Sequence, residues 1–244
     1  MNENLCNKFK KISIVVPIFN EEKTISEIIR KIETADACGL EKEIILVDDA
    51  STDKTVGILN NYVGKHKVIL NKINQGKGAT LKNGFRNVTG DVIIIQDADL
   101  EYSPSEYPIL LSPILAGDAD VVYGSRLMSG RPHRVLYYWH YVLNKILTRF
   151  SNILTNINLT DMETGYKVFS REILNEILPG LESKRFGFEP EFTAKVAKIA
   201  KKRKCRIYEV GISYNGRTYE EGKKINWVDG VETIYCIIKY TLFK

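Results

Sequence analysis

Hydrophobic positions in the first half of the chain switch between two periods. Residues 12–16, Ile-Ser-Ile-Val-Val, form a continuous β-rich run, as expected for a strand covered on both faces. From Glu22 to Ala37 the apolar positions change spacing, with Ile25, Ile28, Ile29 and Ile32 on one helical face. Residues 43–49 read as a second strand, about 53–62 as a short helix, and 67–70 as a third strand. Residues 79–88 form the next helix, with Leu81, Phe85 and Val88 on one side. Asp91 to Asp99 is the most apolar strand and belongs at the centre of the sheet. Ser103-Pro104-Ser105-Glu106 is a helix start, with Ser103 as cap, Pro104 at the first helical position and Glu106 closing a capping box. Residues 120–125 give a fifth strand. This alternation predicts an α/β fold: an open, mostly parallel, Rossmann-like sheet with helices on both faces. Such sheets bind ligands beyond the carboxyl ends of their strands.

The second half is less regular. A long helix is expected over 136–157, a turn and short strand over 162–169, and a basic helix over 189–202. An alternating strand follows over 206–214, then a final helix over 228–243. With 244 residues and no linker, repeat or low-complexity stretch, the simplest organisation is one domain, 1–244, with a C-terminal helical elaboration.

Composition narrows the class. Hydrophobic residues at 44% and charged residues at 27% fit a globular chain and exclude disorder. Cys6, Cys38, Cys205 and Cys236 are scattered and do not cluster with His66, His133 or His140, which argues against a structural zinc site and a disulfide scaffold. No apolar stretch precedes Ile12, as a secretory leader would require, and no run approaches the ~18 residues of a membrane span. The expected setting is reducing and cytoplasmic. The net charge of +5 is mild and concentrates at 195–206, read as a solvated helix face, with phosphate or anionic-membrane contact as the alternative.

Candidate chemistry lies at the predicted strand ends. Asp48 and Asp49 end the second strand; Asp97 and Asp99 end the central one, with Glu101 two residues on. Carboxylates at this spacing suit a hard cation, Mg²⁺ or Mn²⁺, shared with substrate phosphates and water. Asp53 reads instead as a helix cap. Asn74-Gln75-Gly76-Lys77-Gly78 precedes a helix and reads either as a phosphate-approaching loop or as a turn needing positive φ; it is neither a Walker A loop nor a dinucleotide fingerprint. Arg126, Arg131, His133 and Arg134 form a basic loop, followed by Leu136-Tyr137-Tyr138-Trp139-His140-Tyr141, suited to a membrane–water boundary or to a core helix with a Tyr-rich surface.

The ordered series Val16-Pro17-Ile18-Phe19-Asn20-Glu21-Glu22, Val47-Asp48-Asp49-Ala50-Ser51-Thr52-Asp53, Asn74 to Gly78 and Asp97-Ala98-Asp99 resembles family 2 glycosyltransferases of the GT-A fold. Gly124-Ser125-Arg126, Asp161 to Phe169 and Gly216 to Lys224 are most similar to polyprenyl-phosphate (dolichol-phosphate) mannosyl- and glucosyltransferases. The resemblance implies a nucleotide-sugar-binding half over 8–127 and an acceptor-binding half over 128–244. Pro17, Phe19, Glu21, Val47 and Asp49 would surround the base and ribose, with Asp97 and Ala98 along the nucleotide and Lys77 adding charge. Asp99, with Asp97 and Glu101, would hold the metal on the diphosphate. Arg217 and Lys223 would clamp that diphosphate, and Arg126 with Arg131 or Arg134 would meet an acceptor phosphate. Glu163 lies in the acceptor motif and, with Asp161, is a candidate general base for a hydroxyl acceptor.

The implied activity is inverting, metal-dependent transfer of a hexose from a UDP- or GDP-sugar to polyprenyl phosphate. The chain ends at Lys244 without the membrane helices common in that group, so attachment would be peripheral, on the cytoplasmic face, or through a membrane-protein partner. No nucleic-acid partner is expected. The alternatives are a family 2 enzyme acting on a glycan hydroxyl and a non-catalytic nucleotide-sugar-binding protein.

Overall fold

The computed structural model describes residues 9–128, 130–135, 137–218, 220–221 and 227–244. Seven strands form one sheet: β1 (Lys11–Ile18), β2 (Glu41–Asp48), β3 (Lys67–Leu70), β4 (Val92–Ile95), β5 (Val121–Ser125), β6 (Lys167–Ser170) and β7 (Ile207–Gly211). Their order is β3-β2-β1-β4-β6-β5-β7, which puts the expected central strand, β4, in the middle. The first four pair in parallel, as does β5 with β7. β6 runs antiparallel to both β4 and β5, so the sheet is mixed.

Strand period two sorts the core into two layers. Ile12, Ile14, Val16, Ile44, Leu46, Val92 and Ile94 face one side. There they meet α1 (Ile25–Thr34), Leu59 of α2 (Thr55–Leu59) and α4 (Tyr107–Leu115). Val15, Ile45, Val47, Ile93 and Ile95 face the other side, against α3 (Lys77–Phe85), α6 (Arg171–Ile177) and α7 (Phe188–Lys202). Each buried Val or Ile contributes about 1.5–3 kcal/mol, which drives the layering. α5 (Tyr138–Thr155) and α8 (Trp227–Ile238) pack on each other and on α7, and Lys239–Phe243 after α8 is widened to π geometry.

Two local expectations change. Ser103 accepts from the Ser105 amide, but Glu106 closes no capping box: its carboxylate accepts from Ser213 N at 2.9 and 3.1 Å, beyond β7. That tertiary bond ties the β4–α4 turn to the far strand. Residues 171–177, unassigned from the sequence, form α6, capped by the Ser170 hydroxyl.

Candidate functional site

β2 and β4 flank β1, and the chain direction across the sheet reverses there. The switch point opens a cleft at the strand carboxyl ends. The cleft has a volume of about 970 Å³ and is lined by Pro17, Phe19, Glu21, Asp49, Lys77, Asp97, Ala98, Asp99, Glu101, Arg126, Arg134, Glu163 and Arg217, all expected site residues. Val47 stands apart: its side chain is core, packed beside Gly84 of α3. Arg131 is exposed and, among the described residues, does not line the cleft. Lys223 lies outside the described residues.

Asp49 is the hub of the 71–76 loop. Its oxygens accept from Asn71 Nδ2, Gln75 N and Gly76 N at 2.7–3.1 Å. The glycines that follow do not open that loop to a phosphate. Gly76 has φ +89°, and a Cβ there would lie 2.6 Å from the Lys184 carbonyl oxygen. Gly78 N and Ala79 N donate to Arg185 O and Lys184 O. The turn reading of Gly76 to Gly78 therefore prevails: the amides at the start of α3 are already capped by residues 184–185. Asp53 stands one residue before Lys54, the N-cap of α2, and accepts from Thr55 N at 2.9 Å and Glu22 N at 3.1 Å, so it ties the helix start to the loop after β1.

Lys77 sits partly buried between Asp97, 3.0 Å away, and Glu189, also at 3.0 Å, and these carboxylates hold it protonated. Glu189 was not foreseen; the signal was a glutamate inside the apolar stretch Phe186-Gly187-Phe188-Glu189-Pro190-Glu191-Phe192. Gly165 makes room for Asp97, because a Cβ there would overlap the carboxylate.

Asp99 lies one turn further out. Arg217 Nη2 is 3.2 Å from both Asp99 Oδ2 and Glu21 Oε1. Burial, then the charges of Asp97 and Glu101, push the Asp99 carboxyl up to about 7, against the pull of Arg217. Glu101 accepts from Arg217 N at 2.8 Å and from Tyr214 OH at 2.9 Å, so it anchors the segment after β7. Among the described residues, no three His, Cys, Asp or Glu side chains converge as a preformed metal cage. The donors around Asp99 are oxygen-only and a guanidinium is already seated on it, a chemistry compatible with Mg²⁺ or Mn²⁺ where substrate phosphates and water complete the shell.

Arg126 is partly buried and bidentate on Asp161, with Nε–Oδ2 at 2.7 Å and Nη2–Oδ1 at 2.8 Å. Both Asp161 oxygens are thereby engaged by Arg126. Glu209 accepts from Thr160 N and Asp161 N and holds this pair in place. Glu163 has a buried Oε1 without a hydrogen-bond partner. Burial and the Glu189 charge raise its pKa to about 8, so it is neutral near pH 7. Arg134 bonds Glu221 at 2.7 Å and Gly216 O at 3.2 Å, joining the basic loop to the segment after β7. Tyr138 and Trp139, which line the cleft, are 68% and 75% exposed. Among the described residues, no helix is long and apolar enough to cross a membrane.

The family model of glycosyl transferase family 2 matches residues 13–178, and the chain belongs to that family. It is also 28% identical to the uncharacterised protein MJ1222 of Methanocaldococcus jannaschii, over 96% of this chain and 93% of that one. Among solved structures it is similar to glucosyl-3-phosphoglycerate synthase of Mycobacterium tuberculosis in complex with Mn²⁺, UDP and phosphoglyceric acid, with a TM-score of 0.72 and 20% identity. That match covers 96% of this chain and 80% of the synthase. A complex of the same synthase with Mg²⁺ and UDP gives a TM-score of 0.69 at 19% identity, covering 95% and 79% of the two chains. These likenesses establish the GT-A fold.

Proposed function

We propose that this protein is an inverting, metal-dependent hexosyltransferase that moves a sugar from a UDP- or GDP-linked donor to a polyprenyl phosphate at a membrane surface. The observation that carries the reading is one cleft lined by the Asp99–Arg217 pair, by Arg126 and Arg134, and by the exposed Tyr138 and Trp139. A charged donor and an acceptor that is both anionic and greasy fit that lining.

Pro17, Phe19, Glu21 and Asp97 would border the nucleotide, and Asp99 would hold Mg²⁺ or Mn²⁺ with the diphosphate. Both ions accompany UDP in the structurally similar synthase. The bound ion would offset charge building on the leaving diphosphate. Arg217, with Lys223, would add hydrogen-bonded positive charge to the same oxygens. Asp161 fixes the Arg126 guanidinium so that its free edge can orient an acceptor phosphate. A phosphate oxygen is already ionised near pH 7 and needs alignment more than a base. A neutral Glu163 suits that role, since it can donate a hydrogen bond.

The structurally similar synthase is named for a small phosphorylated acceptor, phosphoglycerate, which makes such an acceptor the principal rival. The test is a screen of UDP-glucose, UDP-N-acetylhexosamines and GDP-mannose against a short polyprenyl phosphate, 3-phosphoglycerate and soluble sugars, with released UDP or GDP measured. Turnover with polyprenyl phosphate is expected. Turnover only with phosphoglycerate or a sugar hydroxyl would overturn the acceptor assignment.

A further inference from the structure

Glu21, Asp99 and Glu101 follow β1 and β4 and bring three carboxylates to one partly buried nest. Carboxylates drawn out of water beside one another require a compensating cation. Arg217 supplies it. Its Nη2 lies 3.2 Å from Glu21 and from Asp99, and its Nη1 lies 3.3 Å from Glu21 Oε2. Its backbone N–H rests on Glu101, which also accepts from Tyr214 OH, so the root of the arginine is held while its head group reaches inward. The fit is incomplete: Nε is buried without a hydrogen-bond partner, its nearest carboxylate oxygen being Glu101 Oε1 at 3.8 Å. A guanidinium seated this way can be displaced.

We propose that Arg217 occupies the cation seat at Asp99 in the unliganded protein and so makes metal binding depend on a nucleoside diphosphate. The inference rests on the metal site proposed above. A divalent ion on Asp99 would lie against the guanidinium, and like charges in a partly dehydrated nest repel. A free aqueous ion therefore has to evict Arg217 from its carboxylates and offers it nothing in return. A metal-bound diphosphate brings anionic oxygens as well, and an arginine fork pairs well with phosphate oxygens. The exchange then leaves both cations neutralised. Arg217 selects the metal–nucleotide complex over the bare ion, and by linkage the nucleotide and the metal strengthen each other to the same degree.

The test is Mn²⁺ binding, followed by the loss of the free-ion electron paramagnetic resonance signal, with and without UDP or GDP. Wild type is expected to bind Mn²⁺ weakly alone and at least tenfold more tightly with nucleotide. Arg217→Met should bind Mn²⁺ alone at least tenfold more tightly than wild type, and its melting temperature should rise on adding Mn²⁺. Arg217→Lys keeps the positive charge and should stay close to wild type, which guards against a folding defect in the methionine variant. Equal affinity for Mn²⁺ alone in wild type and Arg217→Met, with nucleotide-dependent binding intact, would overturn the exchange. Failure of wild type to bind Mn²⁺ even with UDP and GDP would instead overturn the metal site on which it rests.

Discussion

Asp99 shows how one residue carries opposed demands. In the metal-binding role proposed for it Asp99 must be ionised, yet burial and the neighbouring Asp97 and Glu101 push its pKa up to about 7. Near pH 6 a share of it is therefore protonated in the folded chain and ionised in the unfolded one. The folded state binds more protons between the ordinary carboxylate range and about 7, so this residue lowers stability as pH rises through that window. We expect Asp99→Asn to melt at least as high as wild type at pH 8 and to show a flatter dependence of melting temperature on pH between 5 and 8. Turnover should fall roughly 100-fold or more, in line with the loss of one group that stabilises developing charge. An active Asp99→Asn protein with an unchanged pH profile would remove Asp99 from the site. Arg126 is the opposite case, a cation whose partner is fully satisfied. Asp161→Ala leaves that mostly desolvated guanidinium without its fully buried partner, and should cost about 3 kcal/mol, measured by urea unfolding.

At the scale of elements, the segment 181–185 matters more than its lack of regular structure suggests. Glu191 accepts from Glu182 N at 2.8 Å and Ser183 N at 2.7 Å, while Gly78 N and Ala79 N donate to residues 185 and 184. The start of α3 and this segment thus close on each other, and Gly78 has no room for a side chain because a Cβ would overlap the Ser183 carbonyl. Backbone cannot give way as a side-chain tip can. Gly78→Ala should therefore destabilise by about 1–3 kcal/mol, as overpacking does, and displace Lys77 from Asp97 and Glu189. Equal urea midpoints for wild type and Gly78→Ala would show that the two segments are not tightly closed. The Glu106 carboxylate works similarly over a longer reach, joining the turn before α4 to Ser213.

For the whole molecule, the telling feature is where the apolar surface is left uncovered. Tyr138, Trp139 and Ile146 of α5 and Tyr235 of α8 are exposed, as are Leu242 and Phe243 at the end of the chain. Tyr138 and Trp139 of this set line the cleft, and exposed apolar groups together mark an interaction surface. The proposed lipid acceptor predicts that this surface meets a membrane, with lysines of the 195–206 segment adding about 1 kcal/mol each near anionic lipid. Flotation with phosphatidylglycerol-containing liposomes should show salt-sensitive binding, reduced at least threefold in Tyr138→Ala/Trp139→Ala. Full retention of binding by that double variant would direct the search for a membrane contact elsewhere.

The strands and their order of appearance were legible because each is a local apolar run, and burial of a run needs no knowledge of its partners. β4 was placed centrally on that ground alone, and Asp97 and Asp99 followed as strand-end carboxylates. α6 was not legible, since seven residues give too few turns for a helical period. The antiparallel course of β6 was also hidden: strand direction depends on how the chain returns, which hydrophobic spacing does not encode. Side-chain pairing lay furthest out of reach. Lys77 with Glu189 spans 112 positions, Arg126 with Asp161 spans 35, and Glu21 with Arg217 spans 196. The sequence by itself determined which residues were too polar to be buried without a partner. Only the tertiary structure decided which partner each received, because a charge taken from water is stabilised by whatever the fold brings within about 3 Å of it.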